Sequence, residues 1–183
     1  MARLPDIDPA TLDAEQKRVY DDIVSGPRGK VEGPLRVWLT SPELAGKAQA
    51  LGAFCRYGTV LPPRLSELAI LVTGAWWRAG FEWHVHAPIG LAAGLDRQAL
   101  ENIRRGLAPD FAQDDEKAVY AFSRELLEKK RVSDATYAAA EQCLGRRALV
   151  DLVGILGYYG LISMTINAFK IPLPAGEPGP FAA

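Results

Sequence analysis

Glu67, Glu82 and His86 are the residues of this chain whose types and spacing favour acid–base chemistry. Glu82 and His86 lie four residues apart and therefore share one face of a helix. Glu67 is the one carboxylate in an otherwise largely apolar helical segment, residues 64–79, so its charge needs a partner. If a turn at Gly80 folds the two helices against each other, two carboxylates and an imidazole meet in an apolar setting.

Such a group of side chains is suited to proton transfer near neutral pH. A neighbouring anion raises the pKa of a histidine, and groups that titrate near the working pH are efficient general acids and bases. We therefore expect His86 to act as general acid or base, Glu82 as its orienting partner, and Glu67 as a second proton-handling carboxylate. The residues leave open a structural alternative, in which the same hydrogen bonds only fix the packing of the helices.

Two aromatic residues near these side chains are candidates for binding a substrate. Trp83 follows Glu82 directly, and Tyr57 closes the preceding helical segment as a weaker candidate donor. Aromatic residues at such spacings more often pack in a core. A metal site is not expected, because His84 and His86 point about 200° apart on a helix and the chain has no third histidine. We predict neither a metal nor another cofactor.

The elements that position these residues are predicted to be helices alone. Glycine and proline divide the chain into eight segments of helical length, and no segment alternates polar and apolar residues as a strand does. These segments cover about residues 13–24, 41–57, 62–79, 81–93, 96–106, 113–130, 133–145 and 146–169. A polar loop covers residues 25–33, and a proline-rich tail, residues 171–183, is expected to extend over the surface with little to pack. The predicted fold class is all-α.

The composition of the chain argues against several classes of protein, among them nucleic-acid-binding, secreted and membrane-spanning proteins. The chain of 183 residues has the length of one domain, and its 21 basic and 22 acidic residues give a net charge of −1, which offers no surface for nucleic acid. Two cysteines, Cys55 and Cys143, and an N-terminus unlike a secretory leader favour the cytoplasm. Residues 148–169 are long enough to cross a bilayer, but their interruptions by glycine favour a helix buried in a core or a subunit interface, with no membrane partner.

Several stretches resemble the carboxymuconolactone decarboxylase family, which includes AhpD-like (alkylhydroperoxidase D-like) proteins. The core of the resemblance is RLSELAIL at 64–71, FEWHVHAP at 81–88 and AAGL at 92–95, with SPEL at 41–44, RVSD at 131–134 and NAF at 167–169 outside it. It implies an AhpD-like helical bundle with a central helical hairpin, one domain over 1–183 with its core motif at about 62–106. It also implies a homo-oligomer, a trimer or a hexamer, and a small-molecule substrate.

The same resemblance shows one departure. AhpD-like members carry a glutamate, then a Cys-x-x-Cys pair, then a histidine four residues after the second cysteine. Glu67 and His86 match the glutamate and the histidine, whereas Ala79 and Glu82 stand where the cysteines would be. Because neither can replace a thiolate nucleophile, the resemblance favours a cofactor-independent decarboxylase, isomerase or hydrolase of a small lactone or organic acid. A thiol-dependent peroxide reductase using Cys55, and a non-catalytic ligand-binding oligomer, remain alternatives.

Overall fold

The computed structural model describes residues 2–181, and helices are the regular secondary structure of that range. The predicted all-α fold class is therefore confirmed. A short 3-10 turn at Pro9–Thr11 precedes the α-helices. These are α1 (Ala14–Ser25), α2 (Pro34–Trp38), α3 (Pro42–Tyr57), α4 (Pro63–Trp76), α5 (Gly80–Ala92), α6 (Arg97–Arg104), α7 (Asp114–Lys129), α8 (Asp134–Leu144) and α9 (Arg146–Phe169).

Local sequence signals explain most helix ends. Asp13 caps α1 in a capping box with Gln16, and the side chains of Asp96 and Ser133 accept backbone N–H bonds at the starts of α6 and α8. Helix α2 was not predicted, because five residues are too few to show helical periodicity.

The predicted end of α4 was wrong by one turn. The helix ends at Trp76, and Arg78 adopts the left-handed backbone region with φ 52°. This conformation cannot continue a right-handed helix. The reversal is therefore made by residues 77–79, and Gly80 begins α5 rather than closing α4.

Helix α4 forms the centre of the core. Every residue from Leu65 to Gly74 is buried, and α4 packs against α5, α7 and α9. Among the described residues, α9 is the one helix that is apolar enough and long enough to cross a bilayer. Of its most apolar 18-residue window, 61% is buried inside the protein. The core helix of a soluble protein can have the same length and the same apolar composition. This burial agrees with the interpretation of α9 as a packing element.

The C-terminal tail makes more contacts than predicted. The ring of Phe181 packs edge-on against Trp83, with 5.6 Å between ring centroids, and lies 5.7 Å from the guanidinium of Arg78. Arg78 also donates to the Phe181 carbonyl, and Arg104 donates to that of Pro180. The tail therefore packs more than expected at its described end, where Arg78 and Arg104 hold Phe181 and Pro180, whereas residues 174–179 are exposed as a segment that extends over the surface should be. Its last two residues lie outside the described range.

Candidate functional site

The hairpin of α4 and α5 brings the three predicted ionisable side chains into direct contact. His86 Nδ1 lies 2.6 Å from Glu67 Oε2, and His86 Nε2 lies 3.0 Å from Glu82 Oε1. None of the three residues is more than 4% exposed. The imidazole therefore bridges two carboxylates, one from each helix, in a place that bulk water barely reaches. We call this arrangement the Glu–His–Glu array.

Two glycines allow the close approach of α4 and α5. A Cβ atom on Gly90 would lie 2.9 Å from Leu95 Cδ1, 3.0 Å from Leu71 Cδ1 and 3.7 Å from Glu67 Cβ. On the facing helix, a Cβ atom on Gly74 would meet Glu82 Cβ and Cγ at 3.6 Å, an ordinary contact. The space beside the Glu–His–Glu array is therefore tight at Gly90 and relaxed at Gly74.

The array changes the acidity of its histidine. Burial by itself would lower the pKa of His86, but the charge of Glu82 and the hydrogen bonds and charge supplied by the two carboxylates outweigh it. The result is a pKa raised from 6.5 to about 9. At neutral pH His86 is thus an imidazolium whose Nδ1–H donates to Glu67 and whose Nε2 side forms an ion pair with Glu82.

Two tyrosines of α9 complete the surroundings of the imidazole. The rings of His86 and Tyr159 meet edge-on at 5.3 Å between centroids, and those of Tyr159 and Tyr158 at 5.2 Å. Burial, and then the charges of Glu82 and Glu67, raise the pKa of Tyr159 well above its usual value. Burial likewise raises the pKa of Tyr158 to about 12, so both stay neutral phenols. Sequence reasoning missed these residues, although a Tyr-Tyr pair within an apolar helix was a signal that could have found them.

A small cavity of about 60 Å³ gives access to the array. Glu82 and His86 line it, and Glu67 does not, because Glu67 holds the imidazole by its other nitrogen. A wider groove of about 550 Å³ adjoins this inner cavity. The residues that line both are Arg28, Lys30, Glu32, Arg56, Phe81 and Val85.

The two predicted substrate-binding residues lie in different places. Tyr57 is half exposed and lines the outer groove, where the guanidinium of Arg56 lies 5.3 Å from its ring centroid. Trp83 is buried against Phe181 and lines a separate groove beside Leu91 and Arg104. It is not among the residues that line the inner cavity, so its role in substrate binding stays a prediction without support from the cavity.

The cysteines are poorly placed for thiol chemistry. Cys55 is completely buried in α3, where burial and then the charge of Asp151 raise its pKa to about 11. A thiol of this kind supplies little of the thiolate that peroxide chemistry requires. Cys143 is exposed on α8, and both cysteines are free thiols.

The donor set of the array does not suit a metal ion. Both ring nitrogens of His86 are already engaged by carboxylate oxygens, so neither is free as a ligand. Over residues 2–181, no group of three or more histidine, cysteine or acidic side chains has an arrangement that would hold a metal.

Comparison with known proteins finds similarity in structure alone. No protein-family model matches the chain, and no curated protein matches its sequence. An uncharacterized peroxidase-related protein from Silicibacter sp. TM1040 is similar with a TM-score of 0.74 at 15% identity, over 95% of this chain and 92% of that one. An alkylhydroperoxidase AhpD core protein from Ralstonia eutropha JMP134, also described as uncharacterized and peroxidase-related, has a TM-score of 0.75 at 15% identity over 95% and 93%.

A third similar structure is the debrominase Bmp8 in complex with 2,3,4-tribromopyrrole. Its TM-score is 0.75 at 12% identity, over 96% of this chain and 95% of that one. At such identities the likeness concerns the fold, and the predicted AhpD-like helical fold is confirmed. The chemistry of these proteins does not transfer with the fold, because one fold supports many activities.

Proposed function

We propose that this protein is a cofactor-independent acid–base enzyme that transfers a proton at a carbon atom of a small lactone or organic acid, as a decarboxylase or an isomerase does. The observation that supports the proposal is the buried Glu–His–Glu array, of which Glu82 and His86 line a cavity. Burial makes these charges strong in their effect on a bound molecule, because little water screens them.

The raised pKa of His86 supports one assignment of roles. At neutral pH the imidazolium is the acid, so the base must be a carboxylate that reaches the cavity. Glu82 meets this requirement: its Oε1 forms the ion pair with His86, and this contact does not use its Oε2. Glu67 holds the opposite ring nitrogen and is a positioning residue, which fixes the imidazole plane and favours its protonated form.

In an isomerisation, Glu82 takes a proton from the carbon next to the carbonyl group. The electron pair of that C–H bond moves to the carbonyl oxygen as an enolate, whose charge the His86 imidazolium stabilises. When the substrate also has a C=C bond conjugated with the enolate, return of the proton from Glu82 to the far carbon of that bond completes the reaction, and the enzyme is unchanged.

In a decarboxylation, the C–C bond between the substrate carbon and the departing carboxylate breaks, and its electron pair is delocalised from that carbon onto the neighbouring carbonyl oxygen as an enolate. That carbon takes a proton from His86 as CO2 leaves. The neutral imidazole then regains a proton from water. Both reactions need a carbonyl group that accepts the electron pair, which a lactone or a keto acid supplies.

Deuterium exchange tests the proton transfer before the natural substrate is known. Small lactones and keto acids are incubated in D2O with the protein, and NMR follows the loss of the C–H signal next to the carbonyl. We expect catalysed exchange that Glu82→Gln reduces at least a hundredfold, in the range usual for a general base. Glu101→Gln, a surface carboxylate paired with Arg104, is the matched control and should exchange as the wild type does.

The outcomes separate catalysis from binding. Exchange that persists in Glu82→Gln removes the base from the proposal. A wild type that catalyses no exchange with any compound of the panel supports the non-catalytic ligand-binding oligomer instead.

The assembly and the compartment belong to the same proposal. Five residues of α9 lie within about 100° of one another around the helix and are poorly covered by the rest of the chain. We call them the α9 stripe: Val150, Val153, Gly154, Gly157 and Met164. Val150 is 72% exposed, Val153 48% and Met164 46%, and Cβ atoms on Gly154 and Gly157 would meet nothing within 4 Å. An apolar helix face of this kind supports a homo-oligomer, and the family resemblance implies that it is a trimer or a hexamer. The two free thiols agree with a cytoplasmic location.

A further inference from the structure

The loop between α1 and α2 brings a guanidinium group to the inner cavity. Nη2 of Arg28 donates a hydrogen bond to the Tyr158 hydroxyl group at 3.2 Å. Its Nε is buried and has no protein acceptor within the described range. A buried donor without an acceptor destabilises the folded state, and an acceptor from a ligand would remove that cost. A cation with a free buried donor at a cavity wall is suited to receive an anionic group.

The chain makes room for this guanidinium at one glycine of α3. A Cβ atom on Gly52 would lie 2.0 Å from the Tyr158 hydroxyl oxygen and 2.4 Å from Arg28 Nη2. Any side chain at position 52 would therefore displace the Arg28–Tyr158 pair. Only glycine at position 52 leaves enough space for this pair. The position of the Arg28 guanidinium is therefore fixed by the packing of α3 and is not that of a freely moving surface side chain.

A second guanidinium lies on the same wall. Arg56, in the last turn of α3, lines both the inner cavity and the outer groove, and its charge is near enough to lower in part the pKa of Tyr159. Among the described residues neither Arg28 nor Arg56 forms an ion pair. Lys30 in the same groove differs, because Glu32 neutralises it at 2.9 Å.

The charges of the site explain why two free guanidinium groups are useful. Two carboxylates and one imidazolium leave the Glu–His–Glu array with one net negative charge at neutral pH. Alone, the array would repel an anionic substrate. Two unpaired cations between the array and the solvent reverse the local sign and can fix a carboxylate through charge-assisted hydrogen bonds.

We propose that Arg28 and Arg56 bind a carboxylate of the substrate at the junction of the inner cavity and the outer groove. The substrate is then a small organic anion that enters with its reacting carbon first. The inner cavity of about 60 Å³ holds only this reacting end beside Glu82 and His86, and the outer groove holds the rest. The placement of the reacting end rests on the proposed function, whereas the binding of the carboxylate does not.

The test compares one ligand with and without its charge. The probes are 5-oxotetrahydrofuran-2-carboxylate, a lactone carboxylate, and its methyl ester, with dissociation constants measured by calorimetry at low salt. We expect the wild type to bind the carboxylate about tenfold more tightly than the ester, as a charge-assisted contact does. Arg28→Gln and Arg56→Gln should each remove most of this preference and leave the binding of the ester unchanged.

Two further variants make the test specific. Lys30→Gln removes the same charge from the same groove, but its lysine is already paired, so the preference should change less than twofold. Gly52→Ala should weaken carboxylate binding as Arg28→Gln does, because it displaces the same guanidinium. Circular dichroism checks that each variant is folded.

Three results would overturn the proposal. One is equal binding of carboxylate and ester by the wild type, another is an equal loss in Lys30→Gln and Arg28→Gln, and the last is no binding of either probe. Repeating the titrations with Glu82→Gln separates this proposal from the proposed function. If Glu82→Gln still binds the carboxylate more tightly than the ester, and adding Arg28→Gln removes this preference, the carboxylate site is supported. This conclusion holds whether or not Glu82 proves to be the base.

Discussion

His86 owes its protonation state to a balance between two opposing effects. Removal from water favours the neutral imidazole, while two carboxylates at 2.6 and 3.0 Å favour the imidazolium. The carboxylates prevail, and the pKa rises to about 9. A histidine that would act as a base near neutral pH in water is thereby made into an acid, and the role of base passes to Glu82.

The same balance predicts how stability depends on pH. Because the pKa of His86 is higher in the folded protein than the ordinary 6.5, the folded state keeps a proton that the unfolded chain loses first. This contribution is fully present below about pH 6.5 and is lost as the pH rises through 9. A shift of this size corresponds to roughly 3 kcal/mol.

Urea unfolding between pH 6 and 10 measures the effect. The free energy of unfolding should fall over this interval in the wild type, and NMR of the imidazole should give a pKa near 9 for His86. In His86→Gln most of the loss between pH 6 and 9 should disappear, and what remains above pH 9 comes from groups such as the buried Cys55, whose pKa is also raised. An unchanged pH profile in that variant would show that His86 does not carry the proton.

At the scale of elements, the α4–α5 hairpin converts a spacing in sequence into a site. Glu67 and His86 are nineteen residues apart and meet because the chain reverses at residues 77–79 and the two helices then approach closely. Glycine at 90 permits that close distance, whereas position 74 leaves room for a Cβ atom. Burial of α4 on nearly all sides leaves this helix little freedom to shift away from its neighbours.

Substitutions of Gly74 and Gly90 should change the stability of the protein in opposite directions. Gly74→Ala adds a Cβ atom at ordinary contact distance and removes a glycine from a helix interior, so it should stabilise the protein by up to about 1 kcal/mol. Gly90→Val forces atoms against Leu71 and Leu95 and should destabilise it by about 1–3 kcal/mol.

Thermal or urea unfolding compares the glycine variants with the wild type. Gly90→Val should also lower the pKa of His86, because its bulk displaces Glu67 from the imidazole. Equal stability of Gly74→Ala and Gly90→Val would contradict the account of a tight and a relaxed side of the hairpin.

At the scale of the whole molecule, α9 has two tasks on opposite faces. Its inner face supplies Tyr158 and Tyr159 to the site, and its α9 stripe is left uncovered. A long helix that is apolar around its circumference suits a protein that buries the second face against another copy of itself.

Charge on the α9 stripe should break the assembly. The double substitution Val150→Glu and Val153→Glu places carboxylates in the proposed interface, and light scattering after gel filtration should then give the mass of a monomer. Tyr137→Glu is the control, because Tyr137 is an exposed aromatic residue on α8 that is not part of the α9 stripe, and it should leave the mass unchanged. A monomeric wild type would rule out the proposed oligomer.

The sequence by itself determined the all-α class, both ends of seven of the eight predicted helices to within two residues, and the pairing of Glu82 with His86, because these follow from contacts within a few residues along the chain. It also placed Glu67 on a buried helix, where a partner was required. Only the tertiary structure decided that Glu67 lies behind the imidazole and Glu82 at the cavity, that Trp83 faces the tail, and that Arg28 and two tyrosines reach the site. These placements join residues 19 to 130 positions apart, and such distances depend on how helices pack rather than on any local pattern.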